Sequence, residues 1–337
     1  MGEVFGGRYE LVDVLAAGGM GTVWRAWDHR DHAYRAAKVL RQANSDSLLR
    51  FVRETTWQVQ HPHVVAPTGW IGEDDRVLFT MPLVTGGSVA DLLGDFGPLP
   101  AGWAIELARQ ALLGLDEVHG AGLVHRDIKP ANLLLDATGR AAPHLLLSDF
   151  GAAAQVGAPR LTQVDRVIGT PGYLAPEQFR GADPEPAQDV YAVGVVLLQT
   201  LTGRPPATDG TLPTPPVTGP SGPELAEVVA RLTCPDPDRR PESARAALAL
   251  LDAVPNSGDL TLGADPDNPV EVFDHVPQLP EGWGPTGPSR GSRTPPPAPT
   301  QQPPPQHKPV RTPSGAPPLT WLLLALGVLL VVLAFAL

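Results

Sequence analysis

"LVHRDIKPANLLL", residues Leu123 to Leu135, is the stretch whose reading decides the fold. An aspartate in a turn, such as Asp127, is ordinarily a helix cap or an Asx-turn. Here its company differs: His125 and Arg126 precede it, Lys129 follows by two residues and Asn132 by five. Beyond it, "LLLSDFGAA" (145–153) brings a second aspartate, Asp149, ahead of Phe150 and Gly151. "GTPGYLAPE" (169–177) follows in turn. Several independent segments in this order make chance agreement negligible.

Upstream lie "VLAAGGMGTVW" (14–24), "RAAKVL" (35–40) and "HPHVV" (61–65). With these added, about residues 8–254 resemble the Hanks-type (eukaryotic-like) serine/threonine protein kinases, particularly the bacterial, actinobacterial members. The resemblance implies an α+β, bilobal protein kinase fold with a small β-rich N-lobe and a large helical C-lobe. It implies ATP and Mg²⁺ or Mn²⁺ as cofactors, and proteins with Ser/Thr acceptor hydroxyls as partners. Phosphoryl transfer needs positioning and charge neutralisation more than covalent chemistry. Asp127 would therefore take the acceptor hydroxyl's proton, and Lys129 would meet the γ-phosphate. Asn132 and Asp149 would hold the divalent ions, whose hardness suits oxygen ligands. "DIKPAN" points away from tyrosine kinases.

In the same resemblance, Leu15, Ala16, Ala17, Gly18, Gly19, Met20, Gly21, Thr22 and Val23 form the loop over the phosphates. Lys38 pairs with the α- and β-phosphates, with Glu54 as its ion-pair partner. An isolated "AAK" would read as a solvated edge lysine, and only spacing separates Glu54 from a surface glutamate. Met81 is the gatekeeper, Pro82 offers its carbonyl to adenine, and Val84 offers its N–H. Thr162 is the candidate for activating phosphorylation, ranked above Thr170, and Arg126 would receive the added phosphate. Thr170 supports Asp127. Glu177 and Arg240 form a bracing ion pair, and Asp189 holds the catalytic loop's backbone.

The sequence departs from the family pattern in three places. Ala16 stands where the first glycine of G-x-G-x-x-G is expected, while Gly18 and Gly21 keep the other two positions. One methyl predicts modestly altered nucleotide affinity and retained catalysis. Pro82 replaces a frequent hinge glutamate but keeps the carbonyl. Gly203 to Glu224 is short and proline-rich, predicting a reduced helix there.

Coarse periodicity predicts strands in "RYELVDVLA", "TVWRAWD", "YRAAKVL", "VVAPTGWI" and "RVLFTMPLV", with "GGMG" as a turn. Helical spacing marks Ser47–Gln60, "GWAIELARQALLGLDEVHGAG", "DVYAVGVVLLQTLTG", "PELAEVVARLT" and "ESARAALALLDAV".

The 337 residues carry a net charge of −11, which argues against nonspecific nucleic-acid binding. The single cysteine, Cys234, excludes an intrachain disulfide and reads as a structural thiol. Of 40 prolines, 18 fall between 255 and 318. That segment has few aliphatic residues, so it is expected to be a disordered juxtamembrane linker following a kinase domain at 8–254. Residues 319–337 are 19 uncharged, mostly apolar residues, enough for about 28 Å of helix, and are expected to form a C-terminal transmembrane anchor in contact with membrane lipid. Arg290, Arg293, Lys308 and Arg311 precede it, which places the kinase domain on the cytoplasmic face. With the span at the chain's end, no extracellular sensor is expected.

Two other readings stay open. One is a pseudokinase or scaffold; the presence of Lys38, Asp127, Asn132 and Asp149 speaks against it. The other makes "TPPPAPTQQPPP" (294–305) a docking stretch for Pro-rich readers, with Thr286, Thr294, Thr312 and Ser314 as sites for phospho-threonine and phospho-serine readers. A semi-rigid spacer is the simpler account of that composition.

Overall fold

The alternation of the first strands covers both faces of one sheet, because successive side chains point to opposite sides. In this computed structural model, which describes residues 2–18, 21–41, 59–73, 76–150, 153–155, 169–215 and 221–289, the N-terminal third forms six strands. They are β1 (Val4–Phe5), β2 (Tyr9–Gly18), β3 (Gly21–Asp28), β4 (Ala33–Arg41), β5 (Gly69–Glu73) and β6 (Arg76–Met81). The order is β1-β2-β3-β4-β6-β5, antiparallel throughout. Phe5, Tyr9, Leu11, Ala26, Ala37 and Leu78 pack on one face. Leu40, Val77 and Phe79 pack on the other. Parity thus sets Lys38 apart from Ala37, on the face of Leu40 and opposite Phe79.

The predicted strand at "VVAPTGWI" is only half present. Residues 64–68 are irregular; Val64 bridges Leu147 and the Val65 N–H donates to the Leu147 carbonyl at 2.8 Å. Those groups are committed to the other lobe, and Pro67 has no N–H for a ladder. The helix expected at Ser47–Gln60 lies outside the described residues but for Val59 and Gln60.

The C-terminal lobe is built from α1 (Val89–Phe96), α2 (Ala101–Gly120), α3 (Pro176–Phe179), α4 (Pro186–Thr202), α5 (Gly222–Leu232) and α6 (Ala244–Asp252). α4 is apolar nearly all round, as a central helix is, while α2 keeps a charged stripe at Glu106, Arg109, Asp116 and Glu117. Ile105, Leu112, Leu115, Val193, Leu197 and Leu232 are almost wholly buried in a single cluster. Each such side chain contributes about 1.5–3 kcal/mol by leaving water. α1 escaped the periodicity reading because it is short, but Ser88 and Asp91 form a reciprocal capping box at its start. Residues 204–215 contain no helix, in line with the expected reduction after α4. Two short antiparallel pairs frame the cleft: β7 (Leu123–Val124) with β10 (Ala154–Gln155), and β8 (Leu133–Leu135) with β9 (Leu145–Leu147).

The disorder expected from residue 255 onward does not describe residues 255–289, which pack. Leu262, Val270 and Val272 join the C-lobe core at 7%, 7% and 1% exposure. Val272 exchanges both backbone hydrogen bonds with Gly139 at 2.9 and 3.1 Å. The segment ends in a hairpin of β11 (Trp283–Gly284) and β12 (Gly287–Pro288). Low aliphatic content did not prevent ordering, because main-chain groups supply most of the contacts. We call residues 255–289 the strap.

These described residues belong to one compact unit, 1–293. The expected span at 319–337 and the linker from 290 lie outside the described residues. Among the described residues no helix is long and apolar enough to cross a membrane.

Candidate active site

The paired leucine runs bring the chemistry together. β8 and β9 register Leu133 against Leu147, so Asn132 and Ser148 meet at one end of the hairpin and Asp149 follows directly. Ser148 closes the junction: its N–H and its hydroxyl both donate to the Asn132 carbonyl at 2.9 Å. His125, fully buried, donates from Nε2 to the Ser148 carbonyl at 2.9 Å. A carbonyl only accepts, so this contact fixes the imidazole tautomer.

Asp127 is surrounded by donors. Lys129 Nζ lies 2.8 Å from its Oδ2, Asn132 Nδ2 donates to the same oxygen at 2.8 Å, and the Thr170 hydroxyl donates to Oδ1 at 2.9 Å. Lys129 also reaches Thr170 Oγ1 at 2.7 Å, closing a triangle. The side chain of Asp127 is 10% exposed, so its carboxylate is held at the edge of the cleft. Thr170 is thereby joined to the Asp127 carboxylate, its hydroxyl engaged. Thr162 lies outside the described residues.

Asp189 holds the loop from below. Its Oδ2 accepts from the His125 N–H at 2.8 Å and its Oδ1 from the Arg126 N–H at 2.9 Å. Arg126 adopts φ +67°, a left-handed conformation unusual for a non-glycine residue. Burial pushes the Asp189 carboxyl up, but hydrogen bonds and the charge of nearby histidines outweigh it and hold the group below the usual carboxylate range. One of those partners is His119, 2.9 Å away, at the end of α2. Sequence reasoning missed His119; nothing local marks it, and only the fold brings it under the loop.

Across the cleft, Lys38 Nζ lies 2.5 Å from Asp149 Oδ1. Two residues assigned to different partners in the sequence therefore face each other, drawn by opposite charge, with Asp149 at φ +61°. Glu54, the lysine's expected partner, lies outside the described residues. Ala16 and Ala17 on β2 pair with Val23 and Thr22 on β3, in a hairpin closed by Gly18 and Gly21, and Leu15 is the extra residue between Val14 and Ala16. Gly19 and Met20 lie outside the described residues. Ala16 is an exposed strand residue just after that bulge, where its methyl is accommodated. Gly21 is required: at φ +146°, a Cβ there would stand 2.5 Å from the Val39 carbonyl oxygen. Met81 ends β6, and Pro82 to Thr85 lead to the C-lobe as an extended connector.

Glu177 and Arg240 meet away from the cleft, at 2.7 and 2.8 Å in bidentate geometry. The guanidinium is fully buried; it also donates to the Cys234 and Ala187 carbonyls and covers the Tyr191 ring. This pair is a brace for the C-lobe.

The donors present suit a hard divalent ion. Asn132 and Asp149 offer oxygen ligands at the cleft's inner edge, and ions of this kind take remaining ligands from phosphate and water. Among the described residues no group of three or more His, Cys, Asp or Glu forms a complete metal cage.

A family model described as "Protein kinase domain" matches residues 9–247. Serine/threonine-protein kinase PknA of Mycobacterium tuberculosis is 37% identical over 251 residues, covering 68% of this chain and 57% of that protein. Serine/threonine-protein kinase PkaA of Streptomyces coelicolor is 34% identical over 272 residues, covering 73% and 50%. Serine/threonine-protein kinases drp72 of Corynebacterium efficiens is 38% identical over 216 residues, covering 61% and 41%. The chain thus spans about half the length of the curated relatives it matches. With the family model covering most of both lobes, the chain belongs to the protein kinase family.

Proposed function

We propose that this chain is an ATP-dependent serine/threonine protein kinase. The observation that carries the reading is the Asp127 cluster with Lys129, Asn132 and Thr170, facing Lys38 and Asp149 across one cleft. In the reaction, the acceptor hydroxyl oxygen bonds to the γ-phosphorus, the bond to the β,γ-bridging oxygen breaks, and ADP leaves. Asp127 takes the hydroxyl proton, and Asn132 and Thr170 aim its carboxylate. Lys129, beside Asp127, neutralises charge on the transferring group. Lys38, now paired with Asp149, would neutralise the α- and β-phosphates, and the hinge carbonyl of Pro82 and the N–H of Val84 would receive adenine. Asn132 and Asp149 would hold Mg²⁺ or Mn²⁺, which supplies charge neutralisation on the phosphates. The relatives' names support Ser/Thr acceptors, as does Lys129 in "DIKPAN".

Regulation and location follow from sequence features. Thr162 is the proposed activating phosphosite, since Thr170 is already engaged with Asp127. The uncharged stretch 319–337, with basic residues before it, supports a single-pass anchor with the kinase domain on the cytoplasmic face. The Pro-rich residues from 290 to 318 are proposed to space the domain from the membrane and to present Thr294, Thr312 and Ser314 to readers.

Transfer of labelled phosphate from ATP to a generic protein acceptor tests the activity. Wild type should incorporate label with Mg²⁺, and Asp149→Asn should not. Equal incorporation by both would overturn the assignment. Membrane fractionation of the full chain beside one lacking 319–337 tests the anchor; equal distribution would dismiss it.

A further inference from the structure

The strap runs from one lobe to the other past the hinge. It begins in the C-lobe, where the Gly102 N–H donates to the Leu262 carbonyl at 3.0 Å and Val272 bridges Gly139. It then meets the hinge: the His275 N–H donates to the Thr85 carbonyl at 2.8 Å, one residue past Val84. It ends on the N-lobe. Arg25, only 4% exposed and held by Asp13 at 2.6 and 2.7 Å, donates to the Pro277 carbonyl at 2.9 Å. The Tyr34 hydroxyl donates to the Gly284 carbonyl at 2.7 Å, and the Trp283 ring lies 6.3 Å from the Tyr34 ring.

We infer that residues 255–289 are an intramolecular brace that sets the separation of the two lobes and positions the hinge for nucleotide. Either lobe alone would suffice to cover a loose tail. This segment is fixed to both, and between those anchorages the His275 N–H is bonded to the connector at Thr85. Opening the cleft would pull the anchors at Arg25 and Tyr34 away from those at Gly139 and Gly102. His275 acts through Thr85 and touches no substrate, so it is a positioning residue. The inference rests on the hinge binding ATP, as proposed above.

The test uses the full chain and two strap substitutions remote from the cleft. Trp283→Ala removes the ring beside Tyr34. Gly287→Ala adds a Cβ that would meet the Trp27 ring at 2.5 Å, on a backbone at φ +100°. Hydrogen exchange is followed in the strap, the hinge and α2, and affinity is measured with a fluorescent ATP analogue. In the double variant, exchange should rise together over 276–289 and 83–87, with α2 unchanged. The analogue's Kd should rise about three- to ten-fold, since the competent lobe arrangement is less populated. A strap that exchanges faster while hinge and affinity stay constant would reduce it to a cover. A strap whose exchange does not change would mean these contacts do not hold it, which also overturns the brace. Should α2 loosen as well, Tyr34→Phe, lacking one oxygen, takes the place of the double variant, and the same outcomes support or overturn the brace. If wild type binds no nucleotide, the functional reading fails instead, and coupled strap and hinge exchange still judges the brace.

Discussion

The catalytic loop at 123–135 and the strap at 255–289 are both irregular segments, yet they are held in opposite ways. The loop is pinned at a few points by charged or buried groups: Asp189 beneath two amides, and Lys129, Asn132 and Thr170 around Asp127. Such bonds are the stronger ones, and leaving one partner buried alone is costly. The strap is held through main-chain groups of its own spread over both lobes, with the Arg25 guanidinium and the Tyr34 hydroxyl among their partners. Concentrated anchoring suits a group that must sit within a fraction of an ångström of a reacting atom. Distributed anchoring suits a segment that joins two bodies. Single substitutions should therefore act sharply in the first region and by degrees in the second.

The sharpest break in that contrast is Asp127→Asn, which keeps the shape and removes the base. It should lower kcat by about 10²–10⁴-fold with little change in unfolding midpoint, measured by phosphate transfer and urea denaturation. Next comes Asp189→Ala, which strands His119 and two amides in the interior. The loss should be about 3–5 kcal/mol in urea, with activity falling in step. A loss below about 1 kcal/mol would show that the loop's anchoring is not concentrated there.

A third test asks whether concentrated anchoring exists in the N-lobe as well. Asp28, 1% exposed, receives a bidentate Arg8 at 2.7 and 2.9 Å and the N–H groups of Arg30 and Asp31. Burial pushes its carboxyl up, but the Arg8 hydrogen bonds and the two amides prevail, lowering it from 3.8 to about 2. A depressed carboxyl stabilises above its unfolded value and loses that contribution as pH falls through the folded one. Wild type should exceed Asp28→Asn by about 2 kcal/mol at pH 6, and the gap should close between about pH 4 and pH 2.

Smaller effects should follow in the strap and the phosphate loop. Tyr34→Phe removes one hydrogen bond among many, and should cost about 1 kcal/mol by denaturant titration. Ala16→Gly should be smallest, changing the KM for ATP by less than about threefold. Activity appearing only with the glycine would break the reading of the natural loop as functional.

The two regions also differ in how far they can be read from sequence. His125 to Asn132 lie within eight residues, and each carries a side chain whose chemistry is its role. Their grouping with Asp149 needed only a short hairpin of leucines. The strap's partners are distant; Arg25 and Pro277 are 252 residues apart. On the strap's side the hydrogen bonds use carbonyls and amides that every residue owns, so little in its own residue types announces them. Proline content and few aliphatic residues suggest disorder, while the informative signal is three aliphatics, Leu262, Val270 and Val272, spaced without period. The same limit hid His119, whose partner Asp189 lies 70 residues on within the same lobe, and the loss of strand at Val64 and Val65, which pair with Leu147 of the opposite lobe. α1 was readable through Ser88 and Asp91, had the cap been weighed above length.

Asp189 grips the main chain of both His125 and Arg126. The loop's path is thus addressed to atoms that substitution cannot alter, proline excepted.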